Sequence, residues 1–360
     1  MAQQFNELEY REQLIAKGVD PAQAFDLARR TAEAQGLPPA QGVSHAEGHA
    51  KQEATKKAPA KRRSKPTKKG SITKKEKELI DSGLQIAEKE PGNDDLTFMH
   101  SIMCQVGLPR SKVNGLEFER ICGGAGLYIR AGKLWDGKQF IQQPLPYGPM
   151  PRLVMAHLNT EALRQKSPEI EVGNSAASFL KRLGKESSGG RNGTLTNFRK
   201  QIQALSACSM TLGNTTAAKA ITYDGKPIQQ FKAWLASSEE QGTLWPGTIT
   251  FSQEYYQTLT GHAVPLDLRA MHALAGSALA MDIYVMLADR LHRINGRPLV
   301  LHWRSLREQF GQEYNDNKNF KNAFIPALKQ ALTVYSQAKV KQVTGGLLLM
   351  SSPPPIPYKG

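Results

Sequence analysis

The sequence is poor in cysteine: its 360 residues include only Cys104, Cys122 and Cys208. An odd number at wide spacing predicts neither a disulfide framework nor a zinc site. We therefore expect a reducing compartment, the cytoplasm, with Cys208 in the core. The sequence also lacks a run of about 18 apolar residues, so we expect no transmembrane helix and no membrane partner. A basic start followed by an apolar stretch is also lacking, so no secretory signal is expected.

Motifs of catalysis are lacking as well. The Gly-rich turn at residues 123–126 is not followed by the Lys and Ser/Thr of a P-loop, so ATP binding is not expected. The eight histidines do not fall at metal-ligand spacing with cysteines or carboxylates. His302, beside Trp303, is interpreted as a packed strand residue, and Asp282, inside an apolar helix, as a buried polar anchor. We therefore predict a protein that is not an enzyme, with no catalytic residues, no cofactor and no metal.

What the sequence has in excess is positive charge, and that charge is concentrated in one stretch. Of the net +15, Lys51 to Lys77 contribute +10 through twelve Lys/Arg and two Glu, which leaves +5 elsewhere. Such a run is typical of a solvated, disordered linker, and it can also bind phosphates without sequence preference. Both interpretations stay open here. The basic residues selected as candidates for non-specific phosphate binding are Lys56, Lys57, Lys61, Arg62, Arg63, Lys65, Lys68 and Lys69.

The C-terminal part of the chain predicts a distinctive order of elements. They are a long apolar helix at 265–294, a strand at 299–303, a short helix at 305–310, a polar-faced helix at 317–335 and a hairpin at 339–351. This is the order of a winged helix, a helix-turn-helix with an added β-hairpin, which places one helix in the major groove of DNA. Pro326 lies inside the polar-faced helix and predicts a kink, although the helix could instead begin near Ile325.

The same order is predicted a second time, upstream. The elements are a helix at 150–165, a strand at 169–172, a short helix at 174–183, a Gly-rich turn at 189–193, a helix at 194–207 and strands at 220–223 and 248–251. Asn174 is the predicted N-cap of the short helix. No sequence similarity joins the two copies, so the repetition is one of element order only.

The predicted fold class is α+β, with two tandem winged-helix modules after a disordered basic N-terminal segment that contains short helices. The predicted segments are a helical N-terminal segment at 1–36, a basic disordered linker at 37–73, a helical lead-in at 74–117, a first module at 118–260 and a second module at 261–355. Inside the first module, Leu127–Arg130 and Lys138–Ile141 are predicted to pair in a hairpin about Asp136-Gly137.

The two polar helix faces supply candidate DNA-binding residues. Asn and Gln can pair bidentately with adenine and Arg with guanine, whereas Lys is better suited to phosphates. A merely solvated helix face is the alternative for each helix. The candidates are Arg191, Asn192, Thr194, Thr196, Asn197, Arg199, Lys200 and Gln203 in the first module, and Lys318, Lys321, Asn322, Lys329, Lys339 and Lys341 in the second.

Several short blocks carry a resemblance to a known family. They are Leu145-Pro146-Tyr147-Gly148, Pro151-Arg152-Leu153, Thr160-Glu161-Ala162, Gly189-Gly190-Arg191 with Gly193-Thr194, Val264-Pro265-Leu266-Asp267-Leu268-Arg269-Ala270, Ser277-Ala278-Leu279-Ala280-Met281-Asp282-Ile283-Tyr284 and Leu306-Arg307-Glu308-Gln309-Phe310-Gly311. In this order they resemble the plasmid-encoded RepA-type replication initiators of Gram-negative bacteria. The resemblance covers about residues 118–355, so the basic run and the N-terminal helices lie outside it.

The resemblance implies a function and a set of partners. It implies an initiator that binds repeated sites, or iterons, in the double-stranded DNA of a plasmid origin, helps to open the duplex, and recruits host replication initiator and helicase or loader proteins. Repression of its own gene and a homodimeric state are further, open expectations. A winged-helix transcriptional repressor with no replication role is the alternative. A nucleic-acid-processing enzyme would need a carboxylate or histidine cluster that the sequence lacks.

Overall fold

The computed structural model describes Glu12, Ala16 and residues 72–173, 175–191, 193–215, 220–225, 228–234 and 245–357. By its contacts the chain divides between residues 67 and 68, and the fold below is that of the second part. Apart from Glu12 and Ala16, which are helical, the predicted N-terminal segment lies outside the described residues. So do residues 37–71 of the basic linker, including all of its candidate phosphate-binding residues from Lys56 to Lys69.

Helices and strands are mixed along the N-terminal half of the second part, which agrees with an α+β class. They are α1 (Lys74–Glu88), β1 (Leu96–His100), α2 (Ser101–Gln105), β2 (Glu117–Cys122), β3 (Ala125–Arg130), β4 (Lys133–Trp135), β5 (Phe140–Gln142), α3 (Pro149–Gln165), β6 (Glu169–Glu171), α4 (Ala176–Arg182) and α5 (Thr194–Ala207).

The C-terminal half continues the same mixture of helix and strand. It comprises β7 (Ser209–Thr215), β8 (Ala220–Gly225), β9 (Ile228–Trp234), β10 (Trp245–Phe251), α6 (Gln253–His262), β11 (Ala263–Asp267), α7 (Leu268–Ala273), α8 (Ala278–Leu291), β12 (Leu299–His302), α9 (Trp303–Phe310), α10 (Asn317–Val334), β13 (Val340–Val343) and β14 (Gly346–Leu349).

The same arrangement of elements occurs in both modules. In the first module, α3 is followed by β6, α4, α5 and the hairpin β9–β10, and the strand order is β6-β10-β9. In the second, α8 is followed by β12, α9, α10 and the hairpin β13–β14, and the strand order is β12-β14-β13. In each, the single strand pairs antiparallel with the second strand of the hairpin. The element order predicted twice from the sequence is therefore present twice.

The first module differs by an insertion between its last helix and its hairpin. Strands β7 and β8 lie there in the chain and join β2 and β3 in a four-stranded antiparallel sheet of order β2-β3-β7-β8. The second module has only the short segment 335–339 at that position.

The predicted hairpin between Leu127–Arg130 and Lys138–Ile141 is wrong in its pairing. Leu127–Arg130 belongs to β3, which pairs with β2 and β7. The Asp136-Gly137 turn is present, but it joins β4 to β5, with Trp135 opposite Phe140. The Asp136 carboxylate accepts hydrogen bonds from the backbone N–H groups of Lys138 (2.8 Å) and Gln139 (2.7 Å), which explains why this turn forms locally.

The long apolar helix predicted over 265–294 is also wrong. Its first residues form β11, which pairs with β1, and the rest is split into α7 and α8. Asp267 caps α7 by accepting from the Arg269 N–H, and Ser277 caps α8 by accepting from the Ala280 N–H. Two side-chain caps inside one apolar pattern divide it, because each satisfies the free N–H groups of a new helix start.

The lead-in predicted as helical at 74–117 contains a strand. α1 is a helix as expected, with a capping box between Thr73 and Glu76. Residues 96–100, however, form β1. In α4 the N-cap is Ser175, whose hydroxyl accepts from the Ser178 N–H, rather than the predicted Asn174, which lies outside the described residues.

Pro326 does not interrupt α10. The helix continues from Asn317 to Val334, so the alternative start near Ile325 is wrong. Proline removes one backbone hydrogen bond and costs about 3 kcal/mol in a helix interior. Burial of apolar side chains on both sides of the proline offsets this cost; they are Phe320, Phe324, Ala327, Leu328 and Ala331.

A buried ion pair links the first helices of the two modules. Arg152 on α3 donates to both carboxylate oxygens of Asp282 on α8, at 2.6 and 2.8 Å. The Arg152 guanidinium also donates to the carbonyl oxygens of Leu108, Pro109 and Gly148. Asp282 is thus the buried polar anchor predicted from the sequence, and the modules share one core rather than two separate ones.

Candidate nucleic-acid interface

Helix α5 presents a polar face as the sequence predicted. Its apolar stripe faces inward: Phe198, Ile202 and Leu205 are at most 1% exposed. On the opposite side Asn197 and Lys200 are exposed, and Arg191 is exposed in the turn before the helix. These side chains are available to a ligand, whereas Asn192 lies outside the described residues.

The hydroxyls of Thr194 and Thr196 are engaged by the turn before α5. The Thr194 hydroxyl lies 2.9 Å from that of Ser188, and the Ser188 hydroxyl also accepts from the Thr194 N–H. The Thr196 hydroxyl donates to the Gly190 carbonyl at 2.8 Å. Their contribution is therefore to fix the Gly-rich turn that holds Arg191 beside the helix.

The remaining α5 candidates are less accessible. Gln203 and Arg199 are half-buried, and the Arg199 Nε has no hydrogen-bond partner among the described residues. Gln201 is buried, and its side-chain oxygen accepts from the Tyr147 N–H at 2.8 Å. Of the predicted α5 residues, Asn197 and Lys200 are thus the best placed to contact bases.

In the second module a shallow concavity lies between α10 and the hairpin. Trp303, Lys321, Gln342, Val343 and Thr344 line it, with a volume of about 540 Å³. Trp303 begins α9, Lys321 lies on the first half of α10, and the others lie at the end of β13 and in the turn. The concavity therefore combines the polar helix with the hairpin, as the predicted order requires.

The Lys321 ammonium lies over an indole ring. Its Nζ is 4.7 Å from the centroid of the Trp303 ring, a cation–π geometry. The ring itself packs edge-on against Phe320 and Phe324. Trp303 thus contacts the aromatic core on one side and the Lys321 ammonium on the other. The contact restricts the position of the Lys321 side chain.

Acidic groups near this surface are engaged in contacts within the protein. Asp316 caps α10 by accepting from the Asn319 N–H and also from its side-chain amide. Glu313 pairs with Arg110 and Arg120, at 3.2 and 2.7 Å. Lys318 and Lys321 therefore project from a surface whose nearby carboxylates are neutralised or hydrogen-bonded.

Lys329 differs from the other α10 candidates. It lies on the second half of the helix, where α1 packs, and it lines a groove with Ile72, Leu79 and Ile80. Asn322 is exposed on the first half. The structure therefore separates Lys329 from Lys318, Lys321 and Asn322, which the sequence grouped together.

The hairpin lysines are exposed but lie outside the concavity. Lys341 neighbours Gln342, and successive strand residues point to opposite faces. Gln342 lines the concavity and Lys341 does not. Lys339 precedes β13, where its backbone N–H donates to the Ser352 hydroxyl. Both lysines remain available for contact with a DNA backbone.

Sequence reasoning missed several polar groups at these surfaces. Arg304 is 91% exposed on α9 and pairs with the exposed Glu308, at 3.1 Å. Gln342 and Thr344 line the concavity. Lys181 and Arg182 are exposed at the end of α4. A signal was present for the three basic residues, because the helices that precede α5 and α10 carry them at exposed positions.

Two further features bear on the predicted class. Among the residues that the structure describes, no group of three or more His, Cys, Asp or Glu could hold a metal ion. No described helix is both long and apolar enough to cross a membrane. His302, interpreted from the sequence as a packed strand residue, is instead exposed at the end of β12, whereas Cys208 is buried as expected.

Residues 145–304 match the family model RepA_C, the plasmid-encoded RepA protein. The matched segment begins before α3 and ends at the second residue of α9. It therefore includes the elements from α3 to β10 and the Arg152–Asp282 pair. No match was found among curated proteins or among solved structures. The match covers less than half of the 360 residues, and it confirms the resemblance to RepA-type plasmid replication proteins that was predicted from the sequence.

Proposed function

We propose that this protein initiates plasmid replication by binding repeated sites at the origin through two winged-helix modules. The observation that carries the proposal is the twofold occurrence of helix, strand, helix, helix and hairpin with the same strand pairing. The recognition helix is α5 in the first module and α10 in the second. The wing is the hairpin β9–β10 in the first module and β13–β14 in the second. The major groove of B-DNA, about 12 Å wide, admits one such helix.

The two recognition helices have different polar residues. α5 offers Asn197 and Lys200, of which an Asn amide can pair bidentately with adenine. α10 offers Lys318 and Lys321, which suit phosphates. In the proposed complex the first module supplies most of the sequence preference and the second supplies most of the electrostatic affinity.

Tethering makes two modest contacts into one strong contact. When one module is bound, the other is held near its own site at a high effective concentration. The modules share a core through Arg152 and Asp282, so their spacing is set by the fold. Binding of several copies would then bend the DNA, and the deformation would favour opening of an adjacent duplex without ATP hydrolysis by this chain.

The proposed function also includes host protein partners and a site of action in the cell. Host replication initiator and helicase or loader proteins would join the opened origin. A homodimer and repression of the protein's own gene belong to the same proposal. The site of action would be the bacterial cytoplasm, where the plasmid resides, and no enzymatic role of this chain is required.

A titration tests the binding step. The full chain is titrated, by fluorescence anisotropy, against DNA flanking its gene and against shuffled DNA of the same length. The salt is kept near 150 mM because phosphate contacts make affinity strongly salt-dependent. Stepwise loading on repeats, with affinity far above that for shuffled DNA, supports the proposal. Equal weak binding to both would refute it.

A replication assay separates initiation from repression alone. A test plasmid that carries the flanking repeats is introduced into cells with and without this gene. Maintenance that depends on the gene supports an initiator. Sequence-specific binding and repression without any maintenance would favour the transcriptional repressor.

A further inference from the structure

The β4–β5 hairpin carries an exposed pair of aromatic side chains. Trp135 is 53% exposed and Phe140 66% exposed, and their ring centroids are 5.1 Å apart. They are directly opposite each other in the strand register. Among the described side chains no other Trp or Phe is exposed. In water such a pair loses the stabilisation that burial would give it, so its position needs an explanation.

The base of the hairpin is fixed to the fold, so the exposure is not the fraying of a loose loop. A Cβ at Gly132 would overlap the carbonyl oxygen of Ala207, at the end of α5. The Gln143 N–H donates to the Gly132 carbonyl at 2.9 Å. The base of the hairpin is thus packed against the end of α5, and the Trp135–Phe140 face is presented to solvent.

That outer face has the chemistry of a nucleotide-binding surface. Because side chains alternate along a strand, Lys133 lies on the same face as Trp135, beside the aromatic pair. Lys138 is exposed in the turn. Proteins that bind single-stranded nucleic acid combine aromatic rings, on which bases stack, with cations that follow the backbone.

A docked protein fits this face less well. On the face of the two rings the neighbouring strand residues are Lys133 and Gln142, Lys138 and Gln139 are exposed in the turn, and the apolar Ile141 lies on the opposite face. The hairpin is a separate two-stranded sheet. A stable protein contact buries about 800 Å² on each partner around an apolar centre. Two rings on a narrow hairpin do not provide such a centre.

We propose that the Trp135–Phe140 face binds unpaired nucleotides of single-stranded DNA. The bases stack on the two rings, and Lys133 and Lys138 contact the phosphates. The inference goes beyond duplex recognition by α5 and α10, since it assigns a separate surface to the strand that becomes unpaired. It does not depend on sequence-specific origin binding, because single-stranded affinity can be measured directly.

The test uses the full chain and a labelled oligothymidine of about 20 nucleotides, longer than a typical site. Trp135→Ala with Phe140→Ala should weaken its binding about tenfold or more, given about 1–3 kcal/mol per stacked base. Titrations at about 300 mM salt reduce the contribution of the basic run at 51–77. Binding of shuffled duplex should change less than about twofold, since duplex bases are not free to stack.

Matched variants keep the outcome interpretable. Leu116→Ala with Ile121→Ala removes two comparably exposed apolar side chains elsewhere, and it should leave oligothymidine binding unchanged. Trp135→Phe with Phe140→Trp keeps two rings and should restore most of the affinity if the loss is one of stacking. Lys133→Ala with Lys138→Ala should lower the salt slope for the single strand by about 1.4.

Two results would overturn the proposal. One is equal loss of affinity for oligothymidine and duplex in the aromatic variant, which would indicate a disturbed fold. The other is unchanged oligothymidine affinity. If that variant then also sedimented as a smaller species than the wild type, the hairpin would be a contact between copies of the chain.

Discussion

The two modules have the same arrangement of elements and differ in the surroundings of α5 and α10, the helices that we propose recognise DNA. α5 follows a Gly-rich turn, its cap residue Gly193 has no side chain, and its first N–H donates to the neutral Ser188 hydroxyl. α10 begins with the carboxylate cap of Asp316 and is covered on its second half by α1. One scaffold thus presents one helix that is open along its polar face and one that is partly enclosed.

This difference assigns different tasks to the two helices. A carboxylate at a helix N-terminus stabilises the helix but repels a phosphate at that end. In the proposed complex, DNA would therefore approach the second module at the lysines further along α10 and at the hairpin, with Lys321 stacked on Trp303. In the first module the end of α5 beside Arg191 carries no such carboxylate cap.

The largest expected effect, on the free energy of unfolding, comes from breaking the buried Arg152–Asp282 pair between the modules. Asp282→Asn would leave the buried Arg152 guanidinium without its counter-charge, and loss of one partner of a buried pair costs about 3–5 kcal/mol. Urea unfolding followed by circular dichroism measures the change. Glu308→Gln, which breaks an exposed pair with Arg304, is the control and should cost less than about 1 kcal/mol. Similar effects of the two changes would mean that the buried pair does not hold the modules together.

The next effect concerns the first module. Asn197→Ala with Lys200→Ala should weaken binding to the cognate repeats about tenfold or more relative to shuffled DNA, since a bidentate base contact contributes about 1–3 kcal/mol of discrimination. Anisotropy titrations on both DNAs give the ratio. Gln257→Ala removes an exposed amide from α6 and serves as the control. A uniform loss on both DNAs would indicate that this face contacts only phosphates.

A uniform loss is the result expected for the second module. Lys318→Ala with Lys321→Ala should weaken binding to cognate and shuffled DNA alike and lower the salt slope by about 2, close to one for each phosphate contact. The slope of log affinity against log salt is the measurement. A changed ratio of the affinities for cognate and shuffled DNA would indicate that α10 also contacts bases. The proposed difference between the two helices would then be wrong.

The smallest effect concerns the helix that covers α10. A Cβ at Gly83 would overlap the carbonyl oxygen of Thr333, so Gly83→Ala should loosen α1 although alanine favours helices by about 1 kcal/mol. Overpacking costs about 1–3 kcal/mol, which leaves a net loss near 1 kcal/mol. Limited proteolysis within α1 and the urea midpoint report it. Asp81→Ala, at an exposed position on the same helix, should not have this effect; a stabilised Gly83→Ala variant would contradict the close contact.

The sequence was most informative where the signal is local. Helix α5 has the bounds predicted for it, since Leu195, Phe198, Ile202 and Leu205 form a continuous helical stripe. The strand β12 and the hairpin β13–β14 were also located to within a few residues. Each of these elements depends on its own residues and on neighbours close in the chain.

Non-local pairing was what the sequence did not reveal. β1 and β11 lie far apart in the chain, and each has an apolar pattern that fits a helix as well as a strand, so they were predicted as helical. The concavity beside α10 depends on Trp303, Lys321 and Gln342, which no local pattern brings together. The position of Lys329 in the groove beside α1 depends likewise on tertiary packing.

A hydroxyl-radical footprint on the repeats tests most directly whether both modules engage DNA. Two protected patches are expected in each repeat, of which the α5 variant loses one and the α10 variant weakens the other. A single patch that neither variant alters, or protection that is the same on shuffled DNA, would contradict this expectation.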